Sequence, residues 1–78
     1  MEENMKNKLL ELINEILENS DRETISILDE EASLRNDIGF DSIDLAVLTV
    51  NIENVFKVDI FEAGMPDTIK DVLERLEK

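Results

Sequence analysis

Residues 38–44 have the sequence Ile38-Gly39-Phe40-Asp41-Ser42-Ile43-Asp44, and this segment marks the change from a loop to a helix. Asp41 can cap the helix by accepting a hydrogen bond from a backbone N–H two or three residues further on. Ser42 then takes the first helical position, so we expect its hydroxyl to face solvent. A helix start has N–H groups without partners and the positive end of the helix dipole. Both features suit a phosphate group at Ser42.

Residues 42–56 predict a helix that is apolar on two sides. One side has the spacing of a core-facing stripe, formed by Leu45, Leu48, Ile52, Val55 and Phe56. The opposite side carries Ile43, Ala46, Val47 and Val50. Such a helix is either covered on both sides or has a binding face, and both interpretations stay open. The stretch 36–56 contains Asp41, Asp44 and Glu53 but no Lys or Arg, so a binding face here would select a basic partner.

Two further helices are predicted from apolar side chains at helical spacing. The first spans residues 4–18, with Met5, Leu9, Leu12, Ile13 and Ile16 on one face. The last spans residues 69–77, with Thr68 and Asp71 in a capping-box arrangement and Lys78 as a favourable charge at its end. Its core positions are Ile69, Val72, Leu73 and Leu76.

The connections between these helices differ in length. Residues 19–40 have scattered apolar side chains, which indicate a packed loop with a short helical turn near Asp29 to Leu34. In residues 57–67, Asp59 and Glu62 have capping-box spacing for one short turn. No segment has strand-like alternation. We therefore expect an all-α fold, a small three-to-four-helix bundle with a long first loop, and a single domain over residues 1–78.

The charge balance narrows the choice of partners. The chain has 8 basic and 20 acidic residues and a formal net charge of −12, so it repels nucleic acid and anionic membranes and attracts basic protein surfaces. A plainer interpretation is an acidic surface that keeps the protein soluble. The acidic start, Met1-Glu2-Glu3-Asn4, is unlike a signal peptide, and no apolar run could span a bilayer. We expect a cytoplasmic protein that binds neither nucleic acid nor membranes.

The chain lacks residues for catalysis of its own. It contains no His and no Cys, so Ser42 has no common general base and no thiolate can bind a metal. Clustered carboxylates such as Glu30 and Glu31 lack the spacing of a calcium loop. We therefore predict no enzyme activity, no catalytic residue and no metal site.

The residues around Ser42 resemble a known signature. Asp41-Ser42-Ile43 is similar to the Asp-Ser-Leu signature of the acyl carrier proteins, and Asp44 extends the match. Residues 29–39 look like the loop that precedes the signature in that family. Residues 53–56, Glu-Asn-Val-Phe, look like the end of its second helix. The similarity runs from about Met5 to the C-terminus.

The resemblance implies a function. Ser42 would be modified by a phosphopantetheinyl transferase, which attaches 4′-phosphopantetheine through a phosphodiester, and the thiol of this arm would carry an acyl group as a thioester. Partner enzymes of acyl-transferring or ketosynthase type, in fatty-acid, polyketide or specialised lipid biosynthesis, would dock through basic patches onto a monomeric carrier. By position, the docking residues are Asp41, Ile43, Asp44, Val47, Val50 and Glu53.

Two other interpretations stay open. The chain could be a stand-alone aminoacyl or peptidyl carrier, although a net charge of −12 favours an acyl cargo. It could also be an unmodified acidic docking module that uses the same surface without a prosthetic group. Val47 stands where the fatty-acid type usually has an acidic residue, which favours a dedicated set of partners.

Overall fold

A computed structural model describes residues 2–62 and 64–77. It contains three helices, α1 (Glu2–Asn19), α2 (Ser42–Phe56) and α3 (Ile69–Leu76). This confirms the all-α class and the bounds of α2. Helix α1 spans Glu2–Asn19 rather than the predicted residues 4–18, and α3 ends one residue before the predicted 77. The charge predicted at Lys78 lies outside the described residues.

The core lies where one face of each helix meets the others. From α1, Leu9 and Ile13 are fully buried, and Ile52 of α2 and Ile69 of α3 are equally covered. The connections add three side chains to this core, namely Leu34, Phe40 and Ile60. No helix in the described part of the chain has the length and apolar character needed to cross a membrane.

One predicted core residue of α2 is not buried. Val55 is 45% exposed, whereas Leu45, Leu48 and Ile52 are covered. At about 100° per residue, Val55 falls at the edge of the apolar face in the last turn of α2. The prediction that Val55 belongs to the core was therefore wrong, while Phe56 packs against the core as expected.

The long first loop is packed as predicted, but it contains no helix near Asp29 to Leu34. A single turn forms there, in which the Asp29 carbonyl accepts from Ala32 N at 2.9 Å and the Asp29 side chain accepts from Glu31 N at 3.0 Å. The turn stops because Ser33 forms an isolated antiparallel bridge with residue 68, which requires an extended backbone. The predicted short turn therefore forms, but it ends at Ala32 and does not extend to Leu34.

Backbone hydrogen bonds join this loop to the start of α3. Leu34 N donates to Asp67 O at 2.8 Å, and Lys70 N donates to Glu30 O, also at 2.8 Å. The loop therefore satisfies backbone groups of the segment that leads into the last helix. This pairing brings the two connections together on one side of α3.

The beginning of the loop is held by Asn14 of α1. Its side-chain amide donates to Ile25 O at 2.9 Å and accepts from Ile25 N at 2.8 Å. Both backbone groups of one loop residue are thus paired with a single side chain. A polar side chain of α1 is therefore used to hold the loop.

Asp59 begins a single turn in the second connection, as predicted, but with a different partner. Its side chain accepts from Phe61 N at 2.9 Å, and its carbonyl accepts the longer hydrogen bond from Glu62 N at 3.4 Å. The arrangement is an Asx turn rather than a capping box, so that detail of the prediction was wrong. Arg75 of α3 holds the turn by donating to Ile60 O at 2.7 Å and to Gly64 O.

Candidate functional site

Ser42 is the first residue of α2, and its side chain is exposed. The helix is capped by its neighbours, since Asp41 Oδ1 accepts from Asp44 N at 2.8 Å and Asp44 Oδ2 accepts from Asp41 N at 3.2 Å. This capping box satisfies two of the amides that a helix start leaves open. The Ser42 hydroxyl is not needed for the cap and remains accessible, which agrees with the predicted position.

Arg22 of the first loop lies behind this helix start. Its Nη2 lies 2.8 Å from Asp44 Oδ2, and its Nη1 donates to Gly39 O at 2.7 Å. The guanidinium carbon also lies 5.7 Å from the centre of the Phe40 ring, a distance suited to a cation–π contact. Arg22 thus ties the end of the loop to the first turn of α2.

The Asp44 carboxylate already has partners within the chain, namely Arg22 and the backbone N–H of Asp41. Burial raises the pKa of Asp44. Hydrogen bonds from Arg22 and from Asp41 N, together with the positive charge of Arg22, lower the pKa by more than burial raises it, so the pKa lies below 3.8. Its side chain is 15% exposed. Docking through Asp44 stays a prediction, and its observed contacts stabilise the helix start.

A second arginine contacts Ser42 itself. Arg35 Nη2 lies 3.2 Å from Ser42 Oγ, where it donates a hydrogen bond. Arg35 was not among the predicted site residues, because it precedes the stretch 36–56 that lacks basic residues. The contact of Arg35 with Ser42 depends on how the turn at residues 34–37 is folded. The spacing of residues in the sequence does not indicate this.

The second apolar side of α2 is on the surface. Ile43, Val50 and Val47 are 73%, 56% and 43% exposed, and Ala46 is exposed beside them. Of the two interpretations, coverage by neighbouring helices is therefore wrong. Three of the proposed docking side chains form an apolar strip that begins directly after Ser42, and we call Ile43, Val47 and Val50 the apolar strip.

Two acidic residues flank the apolar strip. Asp41 and Glu53 are both exposed, one at the start and one near the end of the surface face of α2. The strip and these carboxylates therefore present an apolar centre with a negative rim. Their use in docking stays a prediction.

The site suits a phosphate ester better than catalysis. A lysine could replace His as a general base, but Lys6 pairs with Glu30 at 3.1 Å and Lys57 follows the far end of α2. Around the Ser42 hydroxyl lie a guanidinium and the positive end of a helix, which both favour an anion. An ester phosphate on this oxygen would meet compatible groups.

Comparisons with known proteins agree with this chemistry. A family model described as a phosphopantetheine attachment site matches residues 7–65, a range that includes Ser42. The chain is 35% identical over 74 residues to a protein named "Acyl carrier protein" from Syntrophus aciditrophicus (strain SB), and the match covers 92% of this chain and 88% of the relative. No solved structure matches at the same level of significance.

Proposed function

The chain belongs to the acyl carrier proteins, and from this premise we propose that Ser42 is the residue to which its prosthetic arm is attached. The cofactor of the family is 4′-phosphopantetheine, and the protein is a carrier rather than an enzyme. Assigning the arm to one side chain is our own step. It rests on the geometry around Ser42.

The observation that supports this assignment most is the exposed hydroxyl at the first position of α2. Asp41 and Asp44 complete the cap between themselves, so a change at the Ser42 oxygen leaves the helix start intact. The remaining amides of the first turn and the helix dipole favour the negative charge that a phosphodiester brings. Ser42 can therefore be modified without a loss of local structure.

The reaction at Ser42 needs a separate enzyme. The Ser42 oxygen would bond to the pantetheine-side phosphorus of coenzyme A and lose its proton. The bond between that phosphorus and the bridging oxygen of the diphosphate would break, and adenosine 3′,5′-bisphosphate would leave. The chain contains no His that could accept that proton, and the phosphopantetheinyl transferase would supply the base. The chain also contains no Cys, so the arm would supply the thiol that carries the acyl group as a thioester.

We further propose that partner enzymes dock on the apolar strip and its acidic rim. The partners would be the phosphopantetheinyl transferase and acyl-transferring or ketosynthase-type enzymes of fatty-acid, polyketide or specialised lipid biosynthesis in the cytoplasm. Exposed Ile43, Val47 and Val50 support an apolar contact. Exposed Asp41 and Glu53 support attraction to a basic patch, whereas Asp44 is already paired with Arg22.

The direct test is loading of the purified chain. We expect incubation with coenzyme A and a broad-specificity phosphopantetheinyl transferase to add one arm, seen in the intact mass. Ser42→Ala should abolish the addition. Ser26→Ala is the matched control, because Ser26 is also exposed but lies in the first loop, and this variant should load fully.

The outcomes separate the competing interpretations. Loss of loading in both serine variants would argue against a specific role of Ser42. An unchanged mass of the wild-type chain would instead favour the unmodified docking module. Transfer of an aminoacyl group rather than an acyl group to the loaded arm would favour the aminoacyl or peptidyl carrier.

A further inference from the structure

Arg35 is a cation at the proposed attachment atom. Its guanidinium donates a hydrogen bond from Nη2 to Ser42 Oγ over 3.2 Å. The charged residues between positions 36 and 43 are both acidic, namely Asp37 and Asp41, and both are exposed. A guanidinium at this position therefore stands apart from the charge of its surroundings.

The backbone on both sides of Arg35 is held by hydrogen bonds. Ser33 N donates to Asp37 Oδ2 at 2.7 Å, and Asn36 N donates to Ser33 Oγ at 3.1 Å. Leu34, the residue before Arg35, is fully buried. The side chain thus extends from a fixed turn, which lowers the entropy that is lost when it binds an anion.

The guanidinium of Arg35 is also available, unlike the other two in the chain. Arg22 is paired with Asp44, and Arg75 donates to carbonyls of the second connection. Among the described residues, Arg35 forms no ion pair. The acidic residues close to Arg35 in the sequence have other partners, since Asp37 accepts from Ser33 N and Asp41 accepts from Asp44 N.

We propose that Arg35 binds the phosphate of the prosthetic arm on Ser42 and so holds the first part of the arm against the end of the first loop. This inference rests on the proposed attachment at Ser42. Modification would place the phosphorus one bond, and the phosphoryl oxygens two bonds, beyond Ser42 Oγ, the atom that Arg35 already contacts. A planar guanidinium matches the geometry of such oxygens better than an ammonium does.

The contact has a consequence for partner binding. A basic surface that approaches Ser42 meets Arg35 as a like charge, unless the phosphate neutralises it. The phosphodiester on Ser42 and Arg35 together carry no net charge, so modification would remove this repulsion. Arg35 would thereby distinguish the loaded carrier from the unloaded one for the same partner.

The test uses the full chain loaded from coenzyme A and observed by ³¹P NMR. Wild type, Arg35→Gln, Arg35→Lys and Lys57→Gln are each loaded to completion, as judged by intact mass. Lys57 is the matched control, because it is an exposed cation beyond the other end of α2. We expect a shifted and narrower ³¹P resonance in Arg35→Gln, an intermediate shift in Arg35→Lys, and no change in Lys57→Gln.

Salt provides a second measurement. Raising the salt from about 0.1 M to about 1 M reduces the Debye length from roughly 10 Å to roughly 3 Å. The wild-type resonance should then move toward that of Arg35→Gln, while the resonance of Arg35→Gln should stay nearly constant. Equal salt responses in the two proteins would overturn the proposal.

Each result separates this inference from the proposed function. Complete loading with the same ³¹P resonance in wild type and Arg35→Gln would overturn the role of Arg35 and leave Ser42 as the attachment residue. Equal shifts in Arg35→Gln and Lys57→Gln would indicate a general charge effect and also overturn it. A wild-type chain that gains no mass would overturn both proposals.

Discussion

Arg22 Nη2 lies 2.8 Å from Asp44 Oδ2, which pairs a guanidinium of the first loop with a carboxylate in the first turn of α2. The same carboxylate accepts a hydrogen bond from Asp41 N and completes the cap. The packing of the loop and the start of the helix are therefore coupled through one side chain. Ser42 lies between the two capping residues in the chain, so its position at the helix start depends on the contacts of both.

We expect Arg22→Ala to lower the free energy of unfolding by about 1.5–3 kcal/mol, the range for hydrogen bonds to charged groups. The pair is partly buried, with 32% and 15% of the two side chains exposed. Arg22→Lys should recover only part of the loss, because an ammonium cannot reach Asp44 and Gly39 with a planar fork. Urea denaturation monitored by circular dichroism measures the change.

The control for this prediction is Lys8→Ala. Lys8 forms an exposed pair with Glu11 at 4.0 Å, which should contribute less than about 0.5 kcal/mol. If removal of Lys8 and removal of Arg22 had equal effects, the coupling described above would not exist.

The depressed pKa of Asp44 predicts a loss of stability in acid. The pKa of Asp44 is lower in the folded state than in the unfolded state, where it is 3.8. The ionised carboxylate therefore stabilises the fold at pH values above 3.8. This contribution is lost as the pH falls through the folded-state pKa. We expect the free energy of unfolding of the wild-type protein to decrease when the pH is lowered beyond about 4. The decrease should be smaller in Asp44→Asn.

Asp71 also contributes to the loss of stability in acid. Hydrogen bonds from the backbone N–H groups of Thr68 and Asp67 hold the pKa of Asp71 below its usual value as well. The Asp44→Asn variant should therefore retain part of the acid sensitivity. Identical pH profiles for wild type and Asp44→Asn would contradict the prediction.

The apolar strip predicts a difference between two exposed isoleucines. Ile43 is 73% exposed on α2 and Ile27 is 77% exposed in the first loop. We expect Ile43→Ser and Ile27→Ser to change the free energy of unfolding by less than about 0.5 kcal/mol each. Only Ile43→Ser should lower kcat/KM for loading by a phosphopantetheinyl transferase. An equal loss in both variants would argue against a docking role of the strip.

The acidic rim predicts a salt-dependent effect at Glu53. Reversal of its charge in Glu53→Lys should reduce the association rate with a basic partner by roughly 2–10-fold at low salt, because steering depends on the local field. The difference should shrink as salt is added. Stopped-flow binding to the transferase measures it, with Glu18→Lys on α1 as the control of equal charge change.

Most of the helical architecture could be predicted from the sequence because it depends on local patterns. The bounds of α2, the cap at Asp41 and the capping box of Thr68 with Asp71 all follow from residues within one turn of each other. The exposure of Ser42 follows from the same local geometry. These features needed no knowledge of the tertiary fold.

The contacts that surround Ser42 could not be predicted in this way. Arg22 reaches Asp44 across 22 positions of the chain, and Asn14 reaches Ile25 across 11. Such pairs depend on how the long loop packs. The sequence spacing of a polar residue on a helix surface is the same whether its side chain contacts water or a loop. Arg35 illustrates the limit, since its position just outside the acidic stretch hid a direct contact with Ser42.

The hydrogen bonds between the first loop and the start of α3 have a consequence for amide hydrogen exchange. The amides of Leu34 and Lys70 donate across the same junction, so solvent reaches either one only when the two segments separate. They should therefore exchange at similar rates, as a single cooperative opening unit. In this view the long loop and the last helix behave as one body in slow native-state fluctuations.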